Sequence, residues 1–134
     1  MSPHRLKNIA ALTAAAFCAF TAPAGAASLT WNGGASGDWQ NGAGDWLNGG
    51  AANWNNATPD SAVFDGAPTN AVTINAGGVT VDDITISAGT YSIAGPGTLT
   101  LASTTWSVAS GLTNTVSAAL AGTTGLTKSG SGVL

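Results

Sequence analysis

Residues 72–108 read VTINAGGVTVDDITISAGTYSIAGPGTLTLASTTWSV, and six triads of one form recur in them. Val72-Thr73-Ile74, Val79-Thr80-Val81, Ile84-Thr85-Ile86, Tyr91-Ser92-Ile93, Leu99-Thr100-Leu101 and Trp106-Ser107-Val108 each place a hydroxyl between two apolar side chains. Successive side chains of an extended strand point to opposite faces, so each triad is a short strand with one buried face and one wet face. Asn75-Ala76-Gly77-Gly78, Ala88-Gly89 and Gly95-Pro96-Gly97 lie between them and supply the chemistry of tight bends. Taken in threes, corresponding triads start 19, 20 and 22 residues apart. That spacing predicts a coil with three short strands per turn, stacking Tyr91 near Val72, Leu99 near Val79 and Trp106 near Ile84. Ile74, Val81, Ile86 and Ile93 are predicted to face inward, with Thr73, Thr80 and Thr85 outward. Weaker apolar positions continue the series at Leu112, Val116, Leu120 and Leu126. The competing architecture, an antiparallel sandwich or barrel, uses longer strands spaced about 8–12 residues apart. Steps of five to eight residues favour the parallel solenoid. The expected fold class is therefore all-β, a parallel β-helix.

Upstream of the triads the composition changes. Residues 28–66 are dense in Gly, Asn, Asp and Trp, and Trp31, Trp39, Trp46 and Trp54 follow one another at spacings close to the downstream steps. The same coil is expected to begin here with Trp as inward residues. Large aromatics cover the open end of a solenoid well, and residues 27–68 read as an N-terminal cap ahead of the rungs at 69–134. The alternative use of Trp31, Trp39, Trp46 and Trp54 is a row of exposed indoles stacking on sugar rings, which would make the chain a carbohydrate-binding module with host or surface glycans as partners.

Further upstream, Arg5 and Lys7 precede an apolar run from Ile9 to Phe20, and Pro23-Ala24-Gly25-Ala26-Ala27 ends it in small residues. This is the layout of a Sec signal peptide over residues 1–26, cleaved after Ala26 or Ala27. The run is too short for a membrane span, which needs about 20 apolar residues. Phe17 before Cys18 argues against lipid attachment. The partners implied are the Sec translocon and signal peptidase, and the expected location is secreted or cell-surface, reached through the periplasm.

Cleavage would remove His4 and Cys18, the only residues of their types, together with Arg5 and Lys7. The remainder carries six Asp, no Glu and a single Lys128. So acidic a chain is unsuited to neutralising a phosphate backbone, and no nucleic-acid partner is expected. Zinc and most transition-metal sites need His or Cys, and proton transfer near neutral pH has few candidates. No catalytic residue, metal or cofactor is expected, and an enzyme ranks last.

Three smaller patterns have simpler explanations than a site. Asp82-Asp83 could form a hydrolase carboxylate pair, but adjacent strand residues face apart, and an exposed turn explains them better. Gly37-Asp38-Trp39 and Gly44-Asp45-Trp46 lack the residue between Gly and Asp of calcium nonapeptides, and turn-forming Asp accounts for them. Asn56-Ala57-Thr58 is a formal glycosylation sequon, to which no role is assigned.

The last ten residues, Gly125-Leu126-Thr127-Lys128-Ser129-Gly130-Ser131-Gly132-Val133-Leu134, resemble the opening of the autotransporter-associated β-strand repeat. The stretches Leu29-Thr30-Trp31-Asn32-Gly33-Gly34, Ala52-Asn53-Trp54 and Ala62-Val63-Phe64-Asp65-Gly66 are similar to the start of such passengers. The resemblance implies a type V secretion passenger, a right-handed β-helix serving as a structural or adhesive (adhesin) scaffold on the outer membrane. It further implies an outer-membrane β-barrel translocator downstream. That barrel is not in this sequence, and the expectation is an N-terminal fragment ending within a repeat.

Overall fold

The computed structural model describes residues 26–34, 36–42, 45–66, 69–103 and 105–134. The signal-peptide reading of residues 1–26 therefore lies, apart from Ala26, outside the described residues. Fourteen short strands are present among those described: β1 (Ser28–Trp31), β2 (Ser36–Trp39), β3 (Trp46–Leu47), β4 (Ala51–Ala52), β5 (Ser61–Phe64), β6 (Thr69–Ile74), β7 (Val79–Val81), β8 (Ile84–Ile86), β9 (Thr90–Ala94), β10 (Thr98–Leu101), β11 (Thr105–Val108), β12 (Thr115–Val116), β13 (Ala119–Gly122) and β14 (Thr127–Ser129). The fold is all-β. From β6 onward the chain visits three sheets in a fixed rotation, and each strand hydrogen-bonds to the strand three places later. The sheet orders are β12-β9-β6-β2, β13-β10-β7 and β14-β11-β8-β5-β1-β3-β4. Every pairing is parallel except β1 with β3 and β3 with β4.

Two of the expected stacks hold residue for residue: Leu99 opposes Val79, and Trp106 opposes Ile84. The third is displaced by two residues. Ile93, not Tyr91, opposes Val72, while Tyr91 opposes Asn70. The reason is that β6 extends three residues upstream of its triad, to Thr69, so its partner β9 pairs along a longer ladder. A two-residue shift preserves which face each side chain takes, and the assigned faces stand. Ile74, Val81, Ile86 and Ile93 are fully buried. Thr73 and Thr85 are exposed, and Thr80 is half-buried.

Inward residues stack in columns. Leu29, Ala62, Ile84 and Trp106 form one on the largest sheet, and Phe64, Ile86 and Val108 another. The small Ala62 within the first column leaves room beside large neighbours, as close-packed interiors require. Turns between circuits are equally tight. At Gly89, where φ is +79°, a Cβ would overlap the Gly66 carbonyl oxygen one circuit away, so only glycine fits.

The expected continuation of one coil through all four upstream tryptophans is corrected. Trp31 and Trp39 end the parallel-paired β1 and β2, whereas Trp46 lies on antiparallel β3 and Trp54 on no strand. The chain here folds back through Asn48-Gly49-Gly50, a turn between β3 and β4 closed by the Asn48 N–H donating to the Gly50 carbonyl at 2.9 Å.

Candidate functional site

Trp31, Trp39, Trp46 and Trp54 converge. Ring centroids lie 5.2 Å apart for Trp31–Trp46, 5.1 Å for Trp39–Trp46, 4.8 Å for Trp39–Trp54 and 4.7 Å for Trp46–Trp54. Phe64 joins Trp31, Trp39 and Trp46, and passes the aromatic contact on to Tyr91 at 4.8 Å. Tilted and edge-on geometries of this kind add about 0.5–1.5 kcal/mol per pair beyond the area removed from water. None of the four indoles is more than 5% exposed. The sugar-stacking row is thereby corrected: a platform needs an open ring face, and these rings spend theirs on one another. Gly33 and Gly37 explain how Trp31 fits, since a Cβ at either would run into its ring.

Around this cluster the outer edges of β1, β7 and β2 are each engaged by a different device. On the largest sheet, antiparallel β3 takes the outer edge of β1, and β4 follows it. At β7, side chains replace a strand. The Thr80 N–H donates to Asn56 Oδ1 at 2.9 Å, Asn56 Nδ2 donates to the Gly78 carbonyl at 3.3 Å, and the Trp54 indole N–H donates to the Thr80 carbonyl at 3.1 Å. The carboxamide of Asn56 thus pairs with β7 as a peptide group would. At β2, the Asp38 N–H donates to Asp45 Oδ2 at 3.1 Å. Unpaired strand edges invite pairing with other chains, and side-chain closure is one way of blunting them.

Of the remaining candidates from the sequence, Asp82 and Asp83 lie between strands, whereas the expected turn at Asp38 is corrected: it lies within β2, with its N–H on the strand's outer edge. Asp82 and Asp83 join β7 to β8, and Asp83 Oδ1 accepts a hydrogen bond from Ser103 Oγ at 2.9 Å. Asp38 and Asp45 are joined by the edge bond above, while Gly44 lies outside the described residues. No group of three or more His, Cys, Asp or Glu side chains comes together among the described residues. Ala26 is exposed and Ala27 half-buried, at the entry to β1.

Two features escaped sequence reasoning. Asn56 was read only as a sequon, because its role depends on a fold-back that places it against residues 78–80. Tyr91 bridges circuits: its hydroxyl accepts from the Gly66 N–H at 3.0 Å and donates to the Gly66 carbonyl at 3.2 Å. Burial raises its pKa above the ordinary 10.0; the backbone bond to Gly66 opposes this and the Asp65 carboxylate adds to it. The folded chain therefore holds the phenolic proton more tightly than the unfolded chain. Stability should be unaffected by this group below pH 10 and should fall as pH climbs past that value toward the raised one. Tyr91 is the only tyrosine, so tyrosinate absorbance in the native protein should appear at higher pH than in denaturant. Coincident titrations would contradict the buried bridge.

The opposite end of the sheets differs. β13 and β14 are exposed along their whole length, and Leu120, Leu126 and Val133 are 47%, 41% and 56% exposed. Leu101, Leu120, Ala121, Gly122, Gly125 and Leu126 line an open groove there. Leu120 stands in register with Val79 and Leu99, yet it is exposed where they are buried. The two ends of this fold are thus chemically unlike. No protein-family model, curated protein or solved structure matches the chain.

Proposed function

We propose that the chain is the terminating segment of an exported structural scaffold: a right-handed parallel β-helix, capped at its N-terminal end and built to continue from its other end. The single observation that carries this reading is the contrast between the ends. The outer edges of β1, β2 and β7 are engaged around the Trp cluster, while β13 and β14 remain exposed, with Leu120 on β13 and Leu126 just before β14 open. A repeat array needs such a stop at its terminus and an unblocked face where the next circuit stacks. Right-handedness follows from the strong preference of parallel crossover connections for that hand. The sequence resemblance to autotransporter passengers supports the same architecture, export by a signal peptide and display on the cell surface. Adhesion would then belong to the outward-facing surface of the rungs or to regions further along.

The reading is tested by comparing the chain with a version carrying the downstream circuits of its own gene. Added circuits should raise the unfolding midpoint and protect β12–β14 from proteolysis, leaving the residues around Trp54 unchanged. A chain whose β12–β14 region is no better protected by the added residues would refute it. Oligosaccharides should leave the tryptophan emission of either form unaltered; a shift on adding sugar would restore the carbohydrate-binding alternative.

A further inference from the structure

Asp60 is the least explained charged group in the fold. It is 5% exposed, and a buried carboxylate is costly unless it is paired. Its Oδ1 accepts the Ala27 N–H at 2.9 Å and its Oδ2 the Asn55 N–H at 3.1 Å. Its own carbonyl accepts the Asp82 N–H at 2.9 Å. No cation faces it. The one basic side chain in residues 27–134 is Lys128, and its Nζ donates to the Gly130 carbonyl.

We infer that Asp60 is the receptor for the processed amino terminus: leader removal between Ala26 and Ala27 turns the Ala27 nitrogen into an ammonium that pairs with its carboxylate. The inference rests on the export reading above. In the step itself, signal peptidase adds water across the Ala26–Ala27 peptide bond. Ala26 leaves with the new carboxylate, and Ala27 keeps the nitrogen as an amine, which takes up a proton in neutral water. The nitrogen already lies within hydrogen-bond distance of Oδ1, so a bond from a neutral amide becomes an ion pair without rearrangement. The geometry also selects between the two small-residue cleavage sites. The Ala27 carbonyl accepts the Ser61 N–H at 2.8 Å as the β1–β5 ladder begins. Cleavage after Ala27 would delete both bonds and leave Asp60 Oδ1 without this donor, Oδ2 keeping the Asn55 N–H.

The test uses the exported protein. Its N-terminal residue should be Ala27. Ser28 would overturn this inference and leave the export reading intact, whereas a retained Met1 would overturn both. The mature chain has two amines, the α-amino group and Lys128, so reductive methylation reads the first against the second as internal reference. Pairing with Asp60 should slow labelling of the α-amine on the order of tenfold in the folded protein relative to denaturant, the effect of about one unit on the amine's titration. D60N, which keeps the shape and an acceptor oxygen, should restore most of the rate while the circular dichroism spectrum stays native. An α-amine that labels equally fast folded and denatured would overturn the inference, and that comparison needs no variant. A native-like D60N protein with labelling still slow would overturn it as well.

Discussion

Replacing Trp54 with Ala should lower the unfolding free energy by about 3–5 kcal/mol, the usual cost of truncating a buried large aromatic. Its ring is 1% exposed and touches both Trp39 and Trp46. Its indole N–H also donates to the Thr80 carbonyl and to Asn56 Oδ1. Truncation therefore opens a cavity in the aromatic cluster and frees part of the β7 edge at once. Trp54→Phe separates the two effects: it keeps most of the aromatic volume and loses the donor, and should cost about 1–3 kcal/mol, the range for leaving a buried polar group unpaired. Emission from the native protein should be blue-shifted, as buried indoles require, and should move to the red in Trp54→Ala. Chemical denaturation followed by fluorescence checks all three outcomes. A Trp54→Ala variant as stable as the parent would place the ring outside the core.

The second large effect concerns the faces of the triads. Ile86→Asp should destabilise the fold by several kcal/mol, about the cost of an unpaired carboxylate in an apolar stack. Ile86 is fully buried between Phe64 and Val108 of the neighbouring circuits. Thr85, one residue away, is exposed, and Thr85→Asp should change stability by less than about 0.5 kcal/mol, as surface substitutions usually do. The contrast between adjacent positions is the readout. Equal losses in thermal unfolding would contradict the assignment of inner and outer faces.

The strands of residues 72–108 were legible because each triad carries its own face assignment, and period 2 survives any error in register. The register of Tyr91 was not. It is fixed by the length of β6, and Thr69-Asn70-Ala71 carry no apolar alternation to announce that the strand begins before Val72. Burial of Trp31, Trp39, Trp46 and Trp54 could be argued from the size of the apolar patch they would otherwise expose. Their placement could not, because β3 and β4 have two residues each and no periodicity can be read from two residues. The Asn48-Gly49-Gly50 turn was the one local hint of the fold-back. Closure of β7 by Asn56, and of Asp60 by Ala27, joins residues more than twenty positions apart. Such bonds depend on tertiary placement and leave no local pattern. Exposure of Leu120 and Leu126 was hidden for a related reason: their place in the series marks them as inward residues, and exposure is a tertiary property that leaves no local pattern.

The central claim is that at one end of the fold the edges of β1, β7 and β2 are engaged by β3 and by side chains, while the other end is open. Amide hydrogen exchange resolved by residue tests it most directly. The Thr80 and Asp38 amides, which donate to Asn56 Oδ1 and Asp45 Oδ2 at the closed end, should exchange as slowly as amides inside the β5, β8 and β11 ladders. Amides on the outer edges of β13 and β14 should exchange at rates close to those of an unstructured chain. Rapid exchange at Thr80 and Asp38, equal to that of β13 and β14, would mean that neither end is closed and would contradict the account.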